Sequence, residues 1–243
     1  MNALKTKNLD KHFDGVKAVD NLSVGIQKGL ITGIVGPNGS GKTTLINTLS
    51  GMLRMDGGAV EISDVKLSRI KPHHVPSYGI TRTFQNVRLF EQMTVLDNIL
   101  VVLTERNLVS AFFEKHNDFH LKKAEATLRH VGLWEKRNQL ASNLSYGQRK
   151  LLEIARAMVM DTDIYLFDEP FAGLFPEMVK IVSTTLKQLR TENKTVILVE
   201  HDMSIIRELC DHVIVMDAGK LLTEGNPEKV LNQKEVIEAY LGE

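Results

Sequence analysis

A glycine-rich loop between a predicted strand and a predicted helix constrains this chain more than any other feature. The β-branched run Ile31–Val35 leads into the loop, and Thr44–Ser50 follow it with helical character. The loop itself reads Gly36-Pro37-Asn38-Gly39-Ser40-Gly41-Lys42-Thr43. This is the pattern G-x-x-x-x-G-K-[ST] in its strand–loop–helix context. Its four fixed positions would occur by chance in roughly one such chain in a hundred, so the motif predicts a phosphate-binding loop.

The residue types of the loop suit a nucleoside triphosphate. Gly36, Gly39 and Gly41 allow successive backbone N–H groups to point into one concavity that accepts phosphate oxygens. The N-terminus of the following helix adds a partial positive charge. Lys42 supplies a cation for the β- and γ-phosphates, and the Thr43 hydroxyl is a candidate ligand for Mg²⁺. We therefore expect ATP or a similar nucleotide, together with Mg²⁺.

The other apolar runs predict an α/β fold with a mixed, mainly parallel sheet. Continuous runs rich in β-branched residues are typical of parallel strands that are covered on both faces. Four such runs are Ile31–Val35, Ile164–Phe167, Val196–Val199 and Val213–Met216. Leu4–Leu9 and Leu22–Gln27 alternate instead, which favours N-terminal antiparallel strands with one solvated face.

A helical region interrupts this alternation of strands and helices. Apolar residues recur at helical spacing in Gln148–Met160 and in Met178–Leu189. From about Thr94 to Met160 there is no convincing strand, within a stretch of residues from about 87 to 160. We interpret that stretch as a helical subdomain inserted into the α/β core of one domain spanning residues 1–243.

Composition excludes several classes of protein. Thirty Lys and Arg residues balance thirty Asp and Glu residues, which argues against a nucleic-acid partner. The single cysteine, Cys210, cannot form an intrachain disulfide and fits a reducing compartment. No run of about 18 apolar residues predicts a membrane-spanning helix, and no signal peptide is visible. A soluble globular protein is expected.

An acidic pair follows one of the predicted parallel strands. Ile164–Phe167 ends in Asp168 and Glu169, and the carboxyl ends of parallel strands form the ligand-binding edge of such sheets. Asp168 is expected to hold Mg²⁺, and Glu169 to orient or deprotonate the water that attacks the γ-phosphate. Solvated acids at an ordinary strand end are the alternative, which the upstream phosphate-binding loop disfavours.

Three further features are each only weak evidence of function when taken alone. Leu144–Gln148 opens an amphipathic helix with a serine and a glycine, which makes a second candidate anion site. Gln85 follows the strand-like Ile80–Phe84 and is a candidate to reach the metal or the water. His201 follows another predicted strand and is a candidate to touch the γ-phosphate. Any one of them alone would more often be structural.

Together these motifs resemble the ATP-binding subunits of ABC transporters, over essentially the whole chain. By this resemblance residues 36–43 are the Walker A loop, residues 144–148 the signature motif, residues 164–169 Walker B and residues 172–176 the D-loop. Gln85 is then the Q-loop residue and His201 the switch histidine.

The resemblance also implies roles for individual residues. Phe13 packs against adenine, and Thr44 joins the Walker A residues in binding the nucleotide. Gln85 joins Thr43 and Asp168 at the metal, and acts with Glu169 and His201 in hydrolysis. Two ATP molecules are held between two subunits, because the signature of one subunit closes on the nucleotide of the other. The implied signature contacts are Ser145, Gly147 and Gln148.

Departures from the family pattern fall in the signature and the D-loop. Tyr146 stands where glycine is commonest, and Phe175 where an acid or asparagine is usual. Other details resemble the subunits of branched-chain amino acid importers, namely Arg82–Asn86, Leu144–Gln148, Gly173-Leu174 and Val236–Gly242. Urea or amide uptake and lipopolysaccharide export remain alternatives. Two other classes of protein fit the chain less well. A soluble ABC ATPase usually carries long coiled-coil insertions or a duplicated cassette, and neither fits in 243 residues. A P-loop kinase would have no need for the signature motif or for His201.

The resemblance implies membrane partners for this chain. We expect permease subunits to hold it at the cytoplasmic face of the membrane, with a substrate-binding protein as an indirect partner and no nucleic acid. Val87–Val95 places Leu89, Phe90 and Met93 among polar residues. We interpret this segment as part of the groove that receives a helix of the permease. Local packing within the helical subdomain is the alternative.

Overall fold

A computed structural model describes residues 1–103 and 118–241, which form eleven strands and eight α-helices within those ranges. The strands are β1 Asn2–Phe13, β2 Val16–Leu22, β3 Gly25–Gln27, β4 Ile31–Val35, β5 Gly57–Ile62, β6 Val65–Leu67, β7 Ile80–Arg82, β8 Ile164–Asp168, β9 Thr195–Val199, β10 His212–Asp217 and β11 Lys220–Gly225. The helices are α1 Lys42–Leu49, α2 Val95–Leu103, α3 Asp118–His130, α4 Tyr146–Val159, α5 Pro176–Thr191, α6 Met203–Leu209, α7 Pro227–Val230 and α8 Lys234–Leu241.

The larger sheet has six strands in the order β11-β10-β4-β9-β8-β7. Its strands are parallel from β10 to β7, and β11 joins the β10 edge in antiparallel orientation. Every residue of β4, β8 and β9 is buried, as continuous apolar runs require. The α/β fold class and the four predicted parallel strands are confirmed.

The smaller sheet is antiparallel and contains the N-terminal strands. Its order is β2-β1-β5-β6, and β3 also pairs with β1. The prediction of one strand over Leu22–Gln27 is wrong, because β2 ends at Leu22 and β3 begins at Gly25. Thr6 stabilises this break: its hydroxyl donates to the Leu22 carbonyl and accepts from the Val24 N–H, both at 2.9 Å.

The chain divides into two compact units. The first comprises residues 1–82, 162–169 and 186–243, and it contains both sheets. Its hydrophobic core combines strand residues such as Leu22 and Ile34 with Leu45 and Ile46 of α1. Fully burying one such side chain contributes about 1.5–3 kcal/mol, so this core fixes α1 and the loop before it against the sheet.

The second unit comprises residues 83–161 and 170–185. Helices α2, α3 and α4 pack on one another there, and Ile99, Leu128 and Leu152 are fully buried. The predicted helices over Gln148–Met160 and Met178–Leu189 are confirmed as α4 and α5, each beginning two residues earlier. The inserted subdomain over residues of about 87–160 stays a prediction.

Along residues 1–103 and 118–241, no helix combines the length and the apolar character needed to cross a membrane.

Candidate nucleotide-hydrolysis site

The phosphate-binding loop in the first unit needs glycine where helix α1 begins. Gly41 precedes the helix with a φ of 100°, in the left-handed region that side chains disfavour. A Cβ atom at this position would collide with the carbonyl oxygen of Ala18. Gly41 has no side chain to cap the helix, so the first-turn N–H groups depend on water or on an anion.

Lys42 is folded back onto its own loop. Its ammonium donates hydrogen bonds to the carbonyl oxygens of Gly36 at 2.7 Å and Pro37 at 2.8 Å, and it lies 3.5 Å from Ser40 Oγ. The residue is only 5 % exposed. A phosphate group entering the loop can take over these contacts, and its charge makes the exchange favourable.

Asp168, at the end of β8, is paired with Arg82 at the end of β7. Arg82 Nη2 lies 2.8 Å from Asp168 Oδ2, and both side chains are buried. The other terminal nitrogen of Arg82 donates to Asn47 Oδ1 and Ser50 Oγ, each at 2.7 Å. This pair was not predicted from the sequence. Its signal was a charged residue ending a short buried strand at the ligand-binding edge.

The structure brings Glu169 and His201 together. His201 Nε2 lies 3.1 Å from Glu169 Oε1, although 32 residues separate them in sequence. Glu169 has a φ of 49°, and its N–H donates to the Val199 carbonyl of the neighbouring strand. A positive φ costs a non-glycine residue of order 1–3 kcal/mol, and such residues concentrate at functional sites.

The remaining predicted contacts of the first unit lie at its surface. Phe13 ends β1 and is 44 % exposed, with the Lys11 ammonium 5.0 Å from its ring centroid. Thr43 is exposed and Thr44 partly exposed in the first turn of α1. An aromatic face and a helix hydroxyl therefore remain accessible to a ligand.

The signature motif lies in the second unit, at the start of α4. Ser145 caps this helix: its hydroxyl accepts from the Gln148 N–H at 3.4 Å, and Gln148 Oε1 accepts from the Ser145 N–H at 3.1 Å. Lys136 also donates to Gln148 Oε1 at 3.1 Å. Gln148 thus serves inside its own subunit as a capping residue, in addition to the predicted contact with a second subunit's nucleotide.

The first departure from the family pattern, Tyr146, lies against the D-loop, which carries the second, Phe175. A Cβ atom at Gly173 would lie 3.1 Å from the ring of Tyr146, so the aromatic side chain covers the backbone of the D-loop. A Cβ atom at Gly147 would lie too close to the sulfur of Met178, so any larger residue there would require this flexible side chain to move. Phe175 is 73 % exposed and does not belong to the core of its own unit.

Gln85 also lies in the second unit, exposed, on the segment that follows β7. The predicted strand Ile80–Phe84 stops at Arg82, because the Phe84 N–H donates to the carboxylate of Glu153 instead of to a strand. The oxygens of Thr43, Gln85 and Asp168 are a hydroxyl, an amide and a carboxylate. Oxygen donors of these types fit Mg²⁺.

A buried side-chain amide helps to hold the predicted partner segment Val87–Val95. The Asn98 side chain accepts from the Phe90 N–H and donates to the carbonyls of Phe90 and Thr94, each at 3.0 Å. The Phe90 ring is nevertheless about half exposed. An apolar side chain on a fixed backbone is available to a partner at this surface.

A phosphate-binding loop beside a strand-end acidic pair defines a P-loop nucleotide hydrolase. The family model described as "ABC transporter" matches residues 19–172, more than half of the chain. The model described as "Branched-chain amino acid ATP-binding cassette transporter" matches residues 220–243. The chain therefore belongs to the ABC transporter family, and it is an ATP-binding ATPase.

Curated relatives agree over nearly their whole lengths. The chain is 40 % identical to "Probable branched-chain amino acid transport ATP-binding protein LivG" of Archaeoglobus fulgidus, covering all of this chain and 96 % of that protein. It is 37 % identical to "High-affinity branched-chain amino acid transport ATP-binding protein LivG" of Escherichia coli K12, covering 99 % and 98 %.

Solved structures confirm the fold. An ATP-binding cassette of an ABC transporter in its ADP conformation has a TM-score of 0.87 and 34 % identity, covering 100 % of both chains. A dimeric cassette in a post-hydrolysis state with ADP and phosphate has a TM-score of 0.80 and 26 % identity, covering 92 % of this chain and 98 % of that one.

Proposed function

We propose that this chain hydrolyses ATP to power the import of branched-chain amino acids across the cytoplasmic membrane. The observation that carries the cargo assignment is the full-length similarity, at 37–40 % identity, to subunits named for branched-chain amino acid transport. The match of residues 220–243 to a family model of the same name supports it from a segment outside the ATPase motifs.

In the proposed mechanism the phosphate-binding loop positions the triphosphate. Lys42 leaves the carbonyls of Gly36 and Pro37 and neutralises the β- and γ-phosphates, while the N–H groups of residues 38–44 hold their oxygens. Phe13 packs against the adenine ring. Thr43, Gln85 and Asp168 would hold Mg²⁺, which supplies charge neutralisation for the phosphates when it is bound.

In this proposal the oxygen of a water molecule forms a bond to the γ-phosphorus as the water gives a proton to the protein, and the bond from that phosphorus to the bridging oxygen breaks, which releases ADP and phosphate. Glu169 acts as the general base, and His201, which already contacts its carboxylate, orients it and touches the γ-phosphate. The 3.1 Å contact between these side chains supports their joint assignment. Phosphoryl transfer needs little covalent chemistry from the protein, so positioning and charge stabilisation dominate catalysis.

The site is completed by a second ATP-binding subunit. Ser145, Gly147 and Gln148 of one subunit contact the nucleotide bound to the other, and closing and opening of this dimer performs work on permease subunits. The dimeric cassette structure with ADP and phosphate supports this arrangement. The permease binds at Val87–Val95 and holds the chain at the inner membrane surface, and a substrate-binding protein delivers the cargo.

Purification of the tagged chain with its membrane partners tests this function. We expect permease subunits to co-purify, and proteoliposomes containing the complex to accumulate labelled leucine, isoleucine and valine when ATP and the binding protein are supplied. The Glu169→Gln complex is the matched control and should assemble without transport. Uptake of another solute, with none of leucine, would overturn the cargo assignment and leave the ATPase assignment intact.

A further inference from the structure

One buried carboxylate accepts hydrogen bonds from the backbone on both sides of Gln85. We call residues 84–88 the Gln85 loop. Glu153, on helix α4, is 7 % exposed. Its Oε1 atom accepts hydrogen bonds from the N–H groups of Phe84 at 3.3 Å and Arg88 at 3.2 Å. A single side-chain oxygen therefore fixes the backbone on both sides of Gln85.

A second residue of the same helix reinforces this closure. Arg156 follows Glu153 by three positions, so both side chains lie on one face of α4. Its Nη1 donates to the Arg88 carbonyl at 2.6 Å, and its guanidinium lies 5.0 Å from the Phe90 ring centroid. The Arg88 guanidinium packs over the Phe84 ring at 4.1 Å, which joins the two ends of the loop directly.

Burying a carboxylate at this position is energetically unfavourable. Burial raises the pKa of Glu153 to about 7, although the Arg88 and Phe84 N–H groups and the charges of Arg156 and Lys150 act in the opposite direction. An apolar side chain of similar volume would fill the space without this desolvation penalty. What it could not supply is an acceptor for the two N–H groups.

We propose that Glu153 is a positioning residue for hydrolysis, which holds the Gln85 loop in the conformation that Gln85 needs to act on the metal and the water. This inference rests on the role of Gln85 in the proposed function, but not on the identity of the cargo. Because Ser145 of the signature motif caps α4, the same helix joins the Gln85 loop to the signature motif within one subunit. Glu153 and Arg156 make that connection.

Two substitutions separate the acceptor from the packing. Glu153→Gln keeps a carbonyl oxygen that can accept both N–H groups, whereas Glu153→Met keeps the volume and removes the acceptor. In the purified full-length chain, we expect Glu153→Met to lower kcat for ATP hydrolysis roughly tenfold to a hundredfold through misplacement of the loop. Its affinity for a fluorescent ATP analogue should stay within about twofold, because the phosphate-binding loop is untouched.

The conservative variant and a surface variant serve as controls. Glu153→Gln should retain most of the parent kcat, and Glu135→Met, an exposed change in the same unit, should be neutral. Hydrogen exchange gives a readout that is independent of activity. The amides of residues 84–88 should exchange faster in Glu153→Met than in the parent or in Glu153→Gln.

A double-variant cycle with Gln85→Ala decides whether the effect passes through Gln85. If Glu153 acts by positioning Gln85, adding Glu153→Met to Gln85→Ala should lower kcat little further. Multiplicative losses would overturn the proposal, as would equal kcat values for Glu153→Met and Glu153→Gln. These outcomes leave the import function untouched, since transport of a different amino acid or solute would change none of these ATPase measurements.

Discussion

At the scale of single residues, the proposed mechanism depends on Glu169 and on the ion pair of its neighbour Asp168 with Arg82. Glu169 combines a left-handed backbone conformation with a contact to His201, and Asp168 beside it is paired with Arg82. The first arrangement presents a carboxylate to water, and the second balances the charge of a buried carboxylate. Each arrangement can be tested by a separate substitution.

Glu169→Gln keeps the shape of the side chain and removes its basicity. We expect ATP to bind with near-parent affinity and turnover to fall by about two to four orders of magnitude, the usual loss for a general base. Phosphate release and nucleotide binding measured on the same sample test this. Lys42→Ala is the complementary variant and should weaken ATP binding itself. Near-normal hydrolysis by Glu169→Gln would show that another group activates the water.

Arg82→Met removes the cation beside a carboxylate that is only 2 % exposed. Loss of one partner of a buried ion pair costs about 3–5 kcal/mol, so the free energy of unfolding should fall by that order. Denaturant unfolding measures it. The matched surface change is Lys187→Met, which breaks the exposed pair with Glu208 and should cost no more than about 1 kcal/mol. Equal losses would mean that Arg82 has no special role in holding Asp168.

At the scale of elements, helix α4 is central to the proposed mechanism. The signature motif lies at its N-terminus, and Glu153 and Arg156 near its C-terminus contact the Gln85 loop. The folded-state pKa of Glu153 is about 7, above its ordinary value of 4.5. Between those pH values the folded state binds more protons than the unfolded state, so this group makes the protein less stable as pH rises. Arg156 and Lys150 oppose the shift without abolishing it.

Glu153→Gln should remove this pH dependence. Relative to the variant, the parent is expected to lose roughly 3 kcal/mol of unfolding free energy between pH 5 and pH 8, which is 1.36 kcal/mol for each unit of pKa shift. Denaturant unfolding of both proteins at pH 5, 6, 7 and 8 measures the difference. A difference that stays constant over this range would contradict a raised pKa at Glu153.

Elements were predictable from sequence where the pattern was local. The four parallel strands and helices α4 and α5 follow from continuous apolar runs and helical spacing. The break between β2 and β3 was not, because the Thr6 hydroxyl that bridges it lies 16 residues from Leu22 in sequence. Arg82–Asp168 and Glu153–Phe84 were missed for the same reason: each joins residues more than sixty positions apart.

In the candidate site, too, local motifs were predictable from the sequence and contacts between distant residues were not. Residue types and spacing predict the phosphate-binding loop and the acidic pair, since each motif lies within a few positions. The sequence predicts Glu169 and His201 as site residues but not their contact with each other. The parallel pairing of β8 with β9 accounts for this 3.1 Å contact. The Lys42 contacts with its own loop carbonyls had no signal in the sequence.

At the scale of the whole molecule, the proposed function depends on a second subunit, and Phe175 tests the surface proposed to contact it. Phe175→Asp should leave the ATP affinity of the monomer nearly unchanged, because no nucleotide contact is assigned to this exposed residue. Its effect should fall on dimer stability and on the cooperativity of hydrolysis, since an aromatic face that packs at an interface is replaced by a charge. Turnover measured against protein concentration separates these effects. A large loss of monomer affinity would contradict the interface assignment.

Sedimentation of the Glu169→Gln chain with and without ATP tests the central claim, that one subunit's phosphate-binding loop and another's signature share a nucleotide. We predict a monomer or a weakly associating species without nucleotide, and a dimer with ATP and Mg²⁺. Adding Ser145→Arg, which places a bulky side chain in the signature, should abolish the dimer while leaving ATP binding to the monomer. A chain that stays monomeric with saturating ATP at high concentration would contradict the homodimer and indicate a different partner cassette.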